Sequence, residues 1–185
     1  MLRQLIIASG LVAFASAACS QIPNNTDKAM HWWQCDSGAS ATFYNATPYD
    51  QTGNNYEYPI HLSKPIVVKT DLDNHGHVYS DPNLLSTVNL WSWSDQCTWS
   101  SVPTLGLLKN LNACENGVPC PVKTGRQILP VTLDFTKYNA IIKMLKDNEP
   151  YQLEYILNDK TSGDSSCLMS QVNFFIIFQN LCILI

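Results

Sequence analysis

The stretch that most constrains this chain is residues 114–125, Cys-Glu-Asn-Gly-Val-Pro-Cys-Pro-Val-Lys-Thr-Gly. Two cysteines flank a short segment with Asn116-Gly117 at its middle, a pair that readily takes up the positive φ of a tight reversal. Pro119 and Pro121 bracket the second cysteine, hold φ near about −65° and push Val118 and Cys120 towards extended conformations. The segment reads as a disulfide-closed corner that turns the chain and feeds it into a strand. A bridge across so short a ring removes only roughly 2 to 2.5 kcal/mol of unfolded-state entropy, so it fixes a local shape. A zinc half-site would need a second ligand pair at metal-like spacing, and the sequence offers none.

Cysteines pair only in the right compartment. The chain begins Met1-Leu2-Arg3, continues with an apolar run over residues 5–14, and reaches Ala15-Ser16-Ala17 or Ser16-Ala17-Ala18, the small residues that signal peptidase favours. Residues 1–18 therefore read as a secretory signal, being too short an apolar span for a membrane anchor. Export makes disulfides the natural state of the 7 cysteines. It also makes Asn24 (Asn24-Asn25-Thr26) and Asn45 (Asn45-Ala46-Thr47) glycosylation acceptors, the second weakened by Pro48. Among 185 residues only 14% are charged, the net charge is −4, and no Lys/Arg cluster occurs, which argues against a nucleic-acid partner.

Beyond an N-terminal extension over 19–31, the pattern is one of short strands and turns. Residues 84–93 alternate, with Val88 and Leu90 on one face and Asn89, Trp91 and Trp93 on the other, so both faces carry apolar weight. Residues 60–72 form an apolar strand ending in the turn-rich stretch 71–77, which suggests a hairpin. The Tyr- and Asn-rich stretch 44–58 reads as a loop. Leucine spacing over 102–111 suits a short helical turn, and residues 140–145 suit one helical turn or a connection. Leu129, Val131, Leu133 and Phe135 alternate with polar residues, and Pro130 points to an edge strand or a bulge. Residues 151–157 alternate again, and 167–174 form the last strand. Many short strands, traces of helix and an export signal indicate an antiparallel sandwich. The apolar tail 175–185 is too short to span a bilayer. A lipid-anchor signal cut near 162–166 would discard Cys167, so the tail reads as foreign to the domain over 32–174.

Enzymatic constellations are missing: no Gly-x-Ser-x-Gly elbow, phosphate loop or His-Glu-x-x-His helix occurs, and no catalytic residue is assigned. Asp71, Asp73 and Gly76 echo a calcium loop, but the twelfth position, where a bidentate Glu belongs, is Pro82, so no metal site is assigned. No cofactor motif is present.

The aromatic-Cys start at Trp33 to Cys35, the Cys-x5-Cys-Pro corner, the strand over 151–157 and a terminal strand opened by Cys167 together resemble the ML family of small secreted lipid-recognition domains. The corner is similar to the family's sterol carriers. The Cys97-Thr98-Trp99 segment and the leucines that follow are closer to its ganglioside activators. The resemblance implies an immunoglobulin-like β-sandwich, all-β with one or two short helices at most, whose two sheets part to admit a lipid.

By position in that pattern Cys35 pairs with Cys167 and Cys114 with Cys120, while Cys19, Cys97 and Cys182 have no assigned partner. The implied cavity-lining set is Val88, Leu90, Trp91, Trp93, Leu107, Leu108, Val131, Leu133, Leu153, Tyr155, Leu157 and Val172. Residues 105–111 with Trp99 would form an apolar rim for transient docking on a membrane surface. The implied function is a secreted, extracellular or lysosomal carrier that holds a glycolipid, sterol or phospholipid and presents it to a partner such as a lysosomal hydrolase. The competing reading is a secreted recognition sandwich with a solid core that binds through residues 44–58.

Overall fold

The computed structural model describes residues 19–35 and 39–176. The signal-peptide reading, Cys182 and most of the apolar tail lie outside these residues. Ten strands follow one another: β1 (His31–Gln34), β2 (Ala41–Tyr49), β3 (Ile60–His61), β4 (Ile66–Asn74), β5 (Leu84–Trp93), β6 (Trp99–Ser101), β7 (Leu111–Asn112), β8 (Gly125–Leu133), β9 (Glu149–Asp159) and β10 (Ser165–Phe175). Among these residues one α-helical turn, α1 (Asn139–Ile142), lies between β8 and β9.

These strands build an immunoglobulin-like antiparallel β-sandwich. One sheet runs β1-β10-β9-β5-β6, with β3 added to β10 and β7 to β5. The other runs β2-β4-β8. All pairings are antiparallel except that of β3 with the end of β10. Alternation along each strand sets its inward face, as period-two geometry requires. On β4, Ile66, Val68, Thr70, Leu72 and Asn74 are buried, while Lys69, Asp71 and Asp73 lie half-buried on the outer face. On β8, Leu129 and Val131 are buried while Arg126, Ile128 and Pro130 are exposed. Pro130 sits on an edge strand, where its missing N–H costs no ladder bond, because β8 pairs only with β4.

Among the described residues, three disulfides close the domain. Cys35–Cys167 joins β1 to β10 across 132 residues, and Cys114–Cys120 closes the corner. Cys19–Cys97 ties the N-terminal segment to the β5–β6 turn across 78 residues. Residues that had no assigned partner in sequence thus form the third bridge. Beside it, Trp93 and Trp99 meet edge to face with centroids 4.8 Å apart.

Several local expectations change. Part of the 44–58 loop is strand β2, bulged between Phe43 and Asn45; only the end is a turn, held by the Asp50 carboxylate, which accepts from Thr52, Asn54 and Asn55. The stretch after β4 closes no hairpin with β5, because those two strands lie in different sheets. The Asn74 amide instead donates to the carbonyls of His77 (2.7 Å) and Lys123 (3.1 Å), which guides the chain across the sandwich. Asp71 is no loop ligand: it lies on β4, forked to Arg126 at 3.0 and 2.9 Å. Residues 102–111 form turns rather than a helix, since Leu105, Gly106 and Asn110 all have positive φ, which breaks helical propagation.

Candidate functional site, an apolar space between the sheets

The interior is not one solid core. Two clusters of buried side chains lie between the sheets, one centred on Leu90, Tyr151 and Phe174 and the other on Leu72, Leu84 and Val122. Phe43, Leu133 and Tyr155 touch both clusters while keeping part of their own surface open. The open surface faces an internal space.

That space is built by the inward positions of both sheets. Phe43 from β2, Val68 and Leu72 from β4, and Leu129, Val131 and Leu133 from β8 form one wall. Val88 from β5, Leu153, Tyr155 and Leu157 from β9, and Leu168 from β10 form the facing wall. A water-sized sphere can move its centre through about 70 Å³ of it. A second space of about 240 Å³ lies at the β8 side, beneath Leu108 and Leu111, the corner residues 115–117 and the turn residues 134–138. Val88, Leu133 and Tyr155 border both spaces and form the waist between them.

Three polar side chains in the walls of the first space, Thr70, Asn74 and Tyr79, are engaged. The Thr70 hydroxyl donates to the Leu129 carbonyl at 3.1 Å, and the Asn74 amide is committed as described. The Tyr79 hydroxyl donates to the Asp164 carboxylate at 3.0 Å, and His77 Nδ1 lies 2.8 Å from the same oxygen. The His77 bond holds the Asp164 carboxyl below its ordinary range, with Tyr79 adding to it, while burial raises the Tyr79 phenol. Burial drives the Tyr155 phenol far above its ordinary value.

Of the twelve residues expected to line a cavity, Val88, Val131, Leu133, Leu153, Tyr155 and Leu157 border the first space, and Leu108 borders the second. Leu90 and Val172 are buried in the solid cluster beside it. Trp91 and Trp93 occupy the alternate, outer positions of β5, because residues at odd spacing from Val88 point away from the facing sheet. Leu107 is exposed, as is Leu105. The β2–β4 wall was overlooked in the sequence. Alternation along β4 signals Val68 and Leu72, but Phe43 sits beside a stretch rich in turn residues that hides its strand.

Of the two sequon asparagines, Asn45 is exposed on β2. Asn24 is also exposed, and its amide donates to Gln171 at 2.6 Å.

No family model matches this chain, and no curated protein matches it in sequence. Among solved structures it is similar to a Niemann-Pick type C2 protein from Japanese carpenter ant, with a TM-score of 0.44 and 14% identity over 78% of this chain and 98% of that one.

Proposed function

We propose that this chain is a non-catalytic lipid carrier of the ML type. It would hold a single lipid in the apolar space between its sheets and lift it from a membrane or hand it to a partner. The observation that carries this reading is the division of the core: the inner walls of both sheets line two adjoining spaces, the first almost wholly apolar, where a binding sandwich with a solid interior would be filled. Each methylene moved there from water contributes about 0.8 kcal/mol, so a dozen contribute on the order of 10 kcal/mol before ordering costs.

Both spaces are smaller than the roughly 300–1,000 Å³ of sites that enclose a small molecule. A glycolipid, sterol or phospholipid therefore enters only as the sheets part. Three disulfides support passage through an oxidising compartment, hence an extracellular or lysosomal location. The bound lipid would be presented to a partner such as a glycolipid hydrolase.

The test is native mass spectrometry of the secreted protein followed by organic extraction. A stoichiometric lipid is expected. A lipid-free protein that also takes up neither fluorescent sterol nor ganglioside would favour the solid recognition sandwich.

A further inference from the structure

We propose that the Tyr155 hydroxyl is an interior hydrogen-bonding anchor, so that the cargo is a lipid carrying a hydroxyl or similar polar group part-way along its apolar body. The inference rests on the lipid-carrier reading. Tyr155 lies on the inward face of β9, opposite Val88 on β5 and Leu168 on β10. With Val88 and Leu133 it forms the waist between the two interior spaces. Any elongated ligand that occupies both spaces must pass its ring.

The other tyrosines of the interior are satisfied. The Tyr151 hydroxyl donates to the Lys146 carbonyl at 3.0 Å and accepts from the Lys146 N–H at 2.6 Å. Tyr58 donates to the Thr26 carbonyl and accepts from the Asn173 N–H at 2.8 Å. Tyr79 reaches Asp164. The Tyr155 hydroxyl is buried, and among the described residues no group completes a well-formed hydrogen bond to it; the Ser86 hydroxyl approaches it without doing so. A phenylalanine would fill the same volume without leaving a polar atom to be satisfied, and a buried unpaired hydroxyl is a cost that folding alone does not repay.

A second hydroxyl stands nearby. Ser86 is buried on the inward side of β5 and borders the second space. It tempers the upward shift that burial imposes on the Tyr155 phenol. A ligand hydroxyl at the waist would donate to one of these oxygens and accept from the other. The hydroxyls would then discriminate between cargoes by about ten-fold, the worth of one ordinary net hydrogen bond.

The experiment compares oleate with ricinoleate, which differ mainly by one mid-chain hydroxyl, and cholesterol with a side-chain-hydroxylated sterol, on wild-type protein and on Tyr155→Phe. Lipids co-purifying with both proteins are identified in parallel. The wild type is expected to prefer the hydroxylated member of whichever pair it binds by about ten-fold. Tyr155→Phe should erase that preference, lose hydroxylated species from its co-purifying lipids, and unfold at the same or higher urea concentration.

Equal affinities within a bound pair, or unchanged co-purifying lipids in the variant, overturn the anchor while leaving the carrier intact. A protein that yields no lipid and binds none of the four overturns the carrier reading and the anchor with it.

Discussion

The carbonyl oxygen of Thr132 on β8 occupies the place that a β-carbon on Gly117 would take. The two residues are further joined by a 2.9 Å hydrogen bond from the Thr132 N–H to the Gly117 carbonyl, and Gly117 has φ of 101°. The disulfide corner is thereby clamped onto the sandwich at the rim of the second space. Gly117→Ala meets both a backbone clash and an unfavourable φ, so it should cost about 3 kcal/mol or more. Urea denaturation checks this; a wild-type midpoint would mean that the clamp yields without cost.

The three bridges close loops of very different length. Replacing both members by alanine should cost about 5 kcal/mol for Cys35–Cys167, slightly less for Cys19–Cys97 and about 2 kcal/mol for Cys114–Cys120 on the loop-entropy account. The ranking is read from the unfolding midpoints of the paired variants. Greatest loss at the short corner bridge would show that the corner acts through native geometry instead.

Val88 sits at the waist beside Tyr155. Enlarging it to phenylalanine overpacks that point, at a cost of about 1–3 kcal/mol. The folded variant should bind a long-chain fluorescent lipid at least about ten-fold more weakly than wild type, the loss expected when a stretch of chain is denied burial. Undiminished binding by a folded Val88→Phe protein would remove the waist from the path of the ligand.

Leu105 is 75% exposed at the tip of the turn before β7, with Leu107 exposed beside it. An apolar tip held outward by a left-handed backbone at Leu105 (φ 53°) suits a membrane interface better than water. Replacing both leucines by serine should reduce co-sedimentation with phospholipid vesicles several-fold while lipid uptake from detergent solution persists. Equal sedimentation would mean that this tip plays no part in binding to a membrane.

Three carboxyls are held below their ordinary value of 3.8: Asp71 first by its hydrogen bonds from Arg126, Asp164 first by His77, and Asp50 first by Asn55. A depressed carboxylate contributes stability that is fully present above the unfolded value and is lost as pH falls through the folded one. These groups should leave stability unchanged from neutral pH down to about 5 and withdraw it below about 4. Urea midpoints across that range test it, and Asp71→Asn should flatten part of the acid limb.

The residues of β5, β9 and β10 were legible in advance because each strand alternates over a span long enough for period two to dominate. Of the residues they turn inward to the first space, Val88, Leu153, Tyr155 and Leu157 stand in that alternation. Phe43 was not, because β2 carries Asn, Thr and Pro on an edge, where partner strands rather than intrinsic preference keep it extended. Leucine spacing at residues 102–111 misled in the opposite direction: positive φ at Leu105 and Asn110 interrupts helical propagation and leaves no periodic signature.

The class of fold and the disulfide-closed corner are legible along the chain, since alternation, turn residues and closely spaced cysteines act over short distances. Tertiary structure alone decided that Cys19 meets Cys97, that Asp71 answers Arg126, and that the Tyr155 hydroxyl lies unpaired at the waist of a divided core. Those relations join residues remote in sequence. They are settled by how two sheets of unequal width face each other, and no local pattern encodes that spacing.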